Sequence, residues 1–183
     1  PKDQCPHNPI LTTGALVTTS LVRGSNVTDR LRRILEMFRR YTGRETTVDA
    51  LVFSAVKGRG HRERAIANFL LRFDLIEGSM EEALDLYFQH STIIVNSRDL
   101  AMIGATLANG GINPVTGEQA IAADLVQNVS SVIMTCGMYE RSGEWMRQVG
   151  MPAQTCRSGA LMALVPQKLG LGVFSPHLDD QGN

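Results

Sequence analysis

Cysteine is scarce: the chain has three, and Cys5, Cys136 and Cys156 lie too far apart to form a Cys-x-x-Cys pair. Neither a disulfide framework nor a zinc ribbon is indicated by that spacing; three reduced, mostly buried thiols are expected. An excess of one charge sign is also missing. Eighteen Lys and Arg meet eighteen Asp and Glu, so no overall field draws the chain to nucleic acid or to an anionic membrane. No apolar run approaches the roughly 18 residues that span a bilayer. There is no initiator Met and no signal-like stretch, so the expectation is a cytoplasmic protein, and a start at Pro1 reads as a segment cut from something longer. The four histidines, His7, His61, His90 and His177, are scattered, and the chain has no Walker loop, dinucleotide glycine fingerprint or metal-binding histidine cluster.

What is present suffices for a core. A hydrophobic fraction of 43% supports one, and a charged fraction of 20% is too low for a disordered chain. The periodicity is mainly helical. Thr28 reads as an N-cap, and Leu31, Ile34, Leu35 and Phe38 make one apolar face until Gly43 ends the helix. Arg30, Arg32, Arg33, Arg39 and Arg40 crowd its other side, a stripe that is read as a solvated face against the alternative of phosphate binding. After a basic loop holding Gly58 and Gly60, a helix carries Ala65, Ile66, Phe69, Leu70 and Phe73. Ser79-Met80-Glu81-Glu82 reads as a capping box, followed by Leu84, Tyr87 and Phe88 on an inward face. Ser97 is expected to cap a helix with Leu100, Ile103 and Leu107 in register, closed by Asn109-Gly110-Gly111. Asn113 to Gly117 is turn chemistry, and Leu125, Val129, Val132 and Ile133 mark one more helix. Residues 160–165 and 169–174 then form a hairpin of two buried strands. Such a pair is marginal alone and predicts a larger sheet, whose other strands have no obvious place in this pattern.

By spacing alone the chemistry is sparse. Gly58-Arg59-Gly60-His61-Arg62 ahead of a helix offers amides and two arginines to an anion, or else a solvated basic loop. Ser54-Ala55-Val56-Lys57 fits the Ser-x-x-Lys pattern of an activated serine, but the Gly-rich continuation is poor helix material, and the match is read as accidental.

Longer motifs carry a resemblance. Asn8-Pro9-Ile10-Leu11-Thr12-Thr13-Gly14-Ala15-Leu16 is similar to the Asn-Pro-Met-Ile-Asn-Ala-Gly-Ala-Leu segment of the serine-dependent glutaminases. The similarity continues through Leu86 to Gln89, Ala105 to Gly111, Asn113 to Glu118, Cys136 to Tyr139, Ser142 to Trp145, Val149 to Ala153 and Phe174 to Asp179. It spans nearly the whole chain with the motifs in one order. The resemblance implies an α/β (α+β) fold of the β-lactamase and penicillin-binding-protein type, with a mostly helical subdomain and a C-terminal antiparallel strand pair from a larger sheet. Residues 1–183 are then the central and C-terminal part of a single domain. It also implies hydrolysis of L-glutamine to L-glutamate and ammonia through a serine acyl-enzyme, with no metal or organic cofactor, in a homo-oligomer. The family's nucleophile motif lies upstream of the Asn-Pro segment, so Ser54 is not its counterpart.

Carried over residue by residue, the resemblance places Tyr139 as a proton shuttle beside the nucleophile, with Tyr87 lining the glutamine pocket. Thr155 falls in the stretch equivalent to a β-lactamase Lys-Thr-Gly strand, which here reads Gln154-Thr155-Cys156-Arg157. Other positions depart from the family. Thr12 replaces an asparagine, Val56 a substrate-binding acid, Glu63 an asparagine, and Arg157 a small apolar residue. The scaffold motifs persist while the pocket motifs change. The expectation is a glutaminase-family domain that is inactive alone. The alternatives are a non-catalytic scaffold or oligomerisation module, and an anion-binding protein using Arg59, Arg62 and Arg157.

Overall fold

The structure is a computed structural model and describes residues 6–175; Cys5 and the Pro176–Asp179 end of the last motif lie outside them. Eight α-helices are described: α1 (Thr12–Ser20), α2 (Val27–Thr42), α3 (Ala50–Arg59), α4 (His61–Arg72), α5 (Met80–His90), α6 (Ser97–Ala108), α7 (Ala123–Cys136) and α8 (Ser142–Gln148). A 3₁₀ turn, Tyr139–Arg141, precedes α8, and β1 (Ala153–Thr155), β2 (Ala160–Val165) and β3 (Leu169–Phe174) follow it. Contacts divide the chain into two compact units, one holding residues up to Glu36 with Thr46–Ile94, the other Met37–Glu45 with the residues from Val95 onward. No described helix is long and apolar enough to cross a membrane.

In the first unit α1, α4 and α5 bury Leu16, Ala67, Leu70, Ala83, Leu84 and Phe88 together. Removing each large side chain of this kind from water stabilises by roughly 1.5–3 kcal/mol. The sequence pattern does not announce α1: Thr12–Ser20 is short and rich in threonine, and its one fully buried large apolar side chain is Leu16. Asn8 leads into it, its side-chain oxygen accepting from Ile10 N at 2.9 Å and Leu11 N at 3.3 Å. The expected cap at Thr28 belongs to Asn26, which accepts from Asp29 N at 2.9 Å. Half of the expected box at α5 forms. Ser79 accepts from Glu82 N at 3.3 Å, but the Glu82 carboxylate turns to Arg30, 3.8 Å away, whose side chain is only 12% exposed and needs a counter-charge. Phe69 and Phe73, part of the apolar spacing that marks α4, are 64% and 39% exposed, their tilted rings 4.9 Å apart.

The expected basic loop at 58–62 is helical apart from Gly60. Asp49 caps α3 by accepting from the amides of Leu51 and Val52, and α4 restarts at His61. A side chain on Gly60 would collide with the Phe88 ring, so the joint between α3 and α4 rests directly on Phe88. The arginine stripe on α2 is largely solvated, as read, and is also paired with acids. Arg32 and Arg33 meet Asp29 at 2.7 and 3.6 Å, and in the second unit Arg39 and Arg40 meet Glu118 at 2.7 and 3.6 Å.

The second unit is built on an antiparallel sheet of order β1-β2-β3. The hairpin sits where periodicity places it, with Ala160 opposite Phe174 and Val165 opposite Leu169. A third strand, β1, joins β2 with Gln154 opposite Met162. Three residues are too few to show alternation, so the hydrophobic pattern misses it, whereas the resemblance points to it. β3 is not buried on both faces: Leu169, Leu171 and Val173 are 41–48% exposed, as an edge strand permits. Its other face is glycine, and at Gly170 and Gly172 a side chain would strike the α6 backbone. The cap of α6 is Asn96, one residue before the expected Ser97, and it forms a full capping box with Asp99. Leu107, Ala108, Ile133, Met162 and Leu164 make the core. Leu125, expected on the inward face of α7, is 46% exposed.

Two buried polar groups tie this unit together. Asn113, fully buried, donates to Arg40 O (3.1 Å) and Tyr41 O (3.0 Å) at the end of α2. It accepts from Val115 N (2.9 Å) and Thr116 N (3.1 Å) in its own turn. Asp99, 3% exposed, takes the Arg44 guanidinium on both carboxylate oxygens. The hydrogen bonds from Arg44 hold the Asp99 carboxyl below its ordinary 3.8.

Asn113→Ala orphans buried partners on two segments and should lower unfolding stability by about 3 kcal/mol or more in urea titrations. Because the folded pKa of Asp99 is depressed, its contribution is complete above pH ~4 and is lost as the pH falls through the lower folded value. Asp99→Asn should therefore lose stability at neutral pH and show a shallower decline below pH ~4 than the parent, followed by circular dichroism.

Candidate active site

The residues singled out by resemblance fall in two places. In the second unit, α7 ends at Cys136 and the chain turns sharply at Tyr139, whose φ of +52° is left-handed. For a non-glycine residue this costs on the order of 1–3 kcal/mol. Ser142 holds it there. Its buried hydroxyl donates to Tyr139 O at 2.9 Å and accepts from Met138 N at 3.1 Å. Trp145 closes the same corner by donating from Nε1 to Met151 O at 2.7 Å. β1 is laced to the end of α7 by Thr155 N donating to Gly137 O at 3.0 Å. The Tyr139 hydroxyl lies 3.4 Å from Thr155 O, a long and weak bond.

Tyr139 and Thr155 are thus neighbours. Thr155 is buried, and its own hydroxyl reaches toward Ala160 O at 3.5 Å. Gln154 donates to Thr155 O at 3.1 Å. Arg157 is exposed on the turn between β1 and β2, where Cys156 Sγ and Ser158 Oγ meet at 2.9 Å.

In the first unit Tyr87 lines a hollow of about 300 Å³ whose other walls are Val52, Val56, Arg59, Glu63 and Phe88, with Ser91 and Thr92 at one end. Three positions placed in the glutamine pocket by resemblance, Val56, Glu63 and Tyr87, therefore meet. The Tyr87 ring lies edge-on to Phe88 and His90, at 5.8 and 5.4 Å. Burial pushes His90 below its ordinary 6.5, so it is neutral at neutral pH. Its Nε2 is within hydrogen-bond distance of Thr19 Oγ1, at 2.9 Å, and Thr19 Oγ1 also lies 2.7 Å from Ala15 O. Thr12, half-buried in the first turn of α1, is not among the lining residues. Nor is Arg62, while Arg59 is. Val52, Ser91 and Thr92 were not singled out in the sequence; only their helical spacing from Val56 and Tyr87 could have signalled them.

Ser54 and Lys57 lie one turn apart on α3, because the Asp49 cap sustains the helix through Gly58. Lys57, however, pairs with Asp85, which removes it as a partner for the serine. Among the described residues no three His, Cys, Asp or Glu side chains converge as a metal would require.

Set beside solved structures, the backbone is closely similar to a Bacillus subtilis glutaminase in covalent complex with 5-oxo-L-norleucine, formed by reaction with 6-diazo-5-oxo-L-norleucine. The TM-score is 0.93 at 33% identity, covering 97% of this chain and 63% of that one. The probable glutaminase YbaS also matches at TM-score 0.93, with 35% identity over 96% of this chain and 57% of that one. The fold is thus part of a β-lactamase-like hydrolase domain. In sequence, the glutaminase of Trichormus variabilis is 51% identical over 97% of this chain and 53% of its own length. Glutaminase 2 of Clostridium perfringens is 40% identical over 97% and 59%. The glutaminase family model matches residues 1–183, and the chain belongs to the glutaminase family. It spans about half the length of the curated relatives it matches.

Ser142→Ala should lower stability by about 1–2 kcal/mol, since both hydrogen bonds that hold the Tyr139 turn are lost. Tyr139→Phe, which removes the phenol's 3.4 Å bond to Thr155 O, should lower it by less than Ser142→Ala does. The two variants separate the turn's role from the phenol's in parallel urea titrations.

Proposed function

We propose that residues 1–183 form the central and C-terminal part of one glutaminase domain. Its parent reaction is hydrolysis of L-glutamine to L-glutamate and ammonia, and this chain has lost the pocket charges that reaction needs. The first part rests on family membership. In the parent reaction a serine attacks the side-chain amide carbonyl, ammonia leaves, and water cleaves the acyl-enzyme, with no metal or organic cofactor. The residues assigned here by resemblance are Tyr139 as proton shuttle, Tyr87 as a wall of the glutamine pocket, and Thr155 on the strand beside it. A phenol, with an ordinary pKa near 10, needs a neighbouring ammonium to act as a base near neutrality. The setting we assign is cytoplasmic, with Cys136 and Cys156 as free thiols.

The second part rests on one observation: Val56 and Glu63 line the hollow that holds Tyr87. At Val56 no carboxylate meets the substrate ammonium. At Glu63 a carboxylate stands where an amide would receive the substrate carboxylate. Two like charges about 4 Å apart repel by roughly 4 kcal/mol at an effective dielectric of 20, which corresponds to about a thousandfold in binding.

A scaffold role is the second reading. It is favoured by the apolar side chains left uncovered in the first unit, Leu51 at 85% and Phe69 at 64% exposure. Sedimentation of the full-length protein tests it: a concentration-dependent oligomer broken by Phe69→Glu is the expected outcome.

Ammonia release from L-glutamine by the full-length protein should stay at background. The double variant Val56→Glu/Glu63→Asn should raise it at least about a hundredfold. Serine-dependent turnover by the unaltered protein would refute the loss of function.

A further inference from the structure

Several opposite charges of the first unit are paired. Lys57 meets Asp85, Arg30 meets Glu82, Arg32 and Arg33 meet Asp29, and Arg64 donates to Lys57 O and lies over the Phe88 ring at 5.6 Å. Two charges at the Tyr87 hollow are left unpaired and share one lining. Arg59 and Glu63 both line it, and neither forms an ion pair or hydrogen bond among the described residues. Their spacing of four would bring them together on one continuous helix. Here Gly60 interrupts the helix with ψ of +44°, so one charge closes α3 and the other opens α4. Gly60, at the joint between the two, packs so close to the Phe88 ring that a side chain there would collide with it. The same hollow is lined by Val52, Val56 and Phe88 and by Tyr87, whose hydroxyl has no hydrogen-bond partner among the described residues.

An unpaired acid and an unpaired base facing one hollow select against simple ions. A plain anion gains from Arg59 but is repelled by Glu63, and a plain cation meets the reverse. A ligand carrying both signs a few bonds apart satisfies both, and an aliphatic tail suits the apolar wall. We propose that this hollow binds a zwitterionic α-amino acid in reversed polarity, with its ammonium on Glu63 and its carboxylate on Arg59. The inference rests on the proposed function in taking the Tyr87 hollow as the amino-acid site, and it adds the orientation. Bound this way, the amino acid is retained without presenting its side chain as a glutaminase substrate. The chain then acts as an amino-acid-binding module.

Isothermal titration of the full-length protein tests the orientation, with L-norleucine as the main probe because it has no side-chain amide to hydrolyse. L-Norleucine should bind. N-acetyl-L-norleucine, which lacks the ammonium, and L-norleucinamide, which lacks the carboxylate, should each bind at least about tenfold more weakly. Glu63→Gln should weaken L-norleucine by a similar factor and leave the N-acetyl compound unchanged. Arg59→Gln should weaken L-norleucine and leave the amide unchanged. Absence of L-norleucine binding overturns the proposal, as does binding indifferent to both substitutions or a phosphate affinity that matches it. The unaltered protein's ligand series decides the question even where a variant does not fold. Ammonia release from L-glutamine, assayed separately, would count against the loss of turnover and leaves the norleucine result independent.

Discussion

The second unit depends on a single side-chain amide, that of Asn113, buried and bonded in both directions. Its nitrogen donates to two carbonyls at the end of α2, and its oxygen receives two amides of its own turn. Helix ends leave carbonyls without partners inside the helix. Here a turn distant in sequence supplies donors, helped by Thr106, whose hydroxyl donates to Tyr41 O at 3.1 Å. The Asn-Pro-Val-Thr-Gly motif is therefore an internal splint, and the Arg44–Asp99 fork repeats the device at the start of α6.

Scaffold and pocket differ in how polar groups are treated. In the scaffold of the second unit, the buried groups of Asn113, Asp99, Thr106 and Ser142 each have a named partner. In the hollow around Tyr87, a carboxylate, a guanidinium and a phenol stand without one. Unmatched polar groups are expensive in an interior and tolerable where a ligand or water completes them. That contrast separates positions that maintain the fold from positions that set what the fold binds. Val56 and Glu63 carry no side-chain hydrogen bond among the described residues, so a change there leaves the scaffold's bonds intact.

The legible parts of the fold were those with long, repeated signals. Helices α2, α4, α5, α6 and α7 and the β2–β3 hairpin follow from apolar spacing over ten or more residues. Short elements escaped: α1 because threonines break its stripe, and β1 because three residues show no period. Cap positions slipped by a residue or two, from Thr28 to Asn26 and from Ser97 to Asn96, because several adjacent residues have cap chemistry and packing chooses among them. Phe69, Phe73 and Leu125 keep the helical period yet are exposed, because periodicity places a helix without fixing which of its apolar residues the core covers. In the site, Tyr87, Val56 and Glu63 were legible through motif resemblance and not through spacing. Val52, Ser91 and Thr92 carry no chemistry of their own and became visible only as walls.

By itself the sequence determined the helical periods, the terminal hairpin, the balanced charge and the glutaminase kinship, because each is a local pattern or an ordered run of motifs. Only the tertiary structure decided which charges are spent on one another. Lys57 finds Asp85 and Arg44 finds Asp99 across tens of residues, while Arg59 and Glu63, four apart, stay unpaired because Gly60 seats their joint on Phe88. Coulomb energy follows distance in space, and that distance is set by packing.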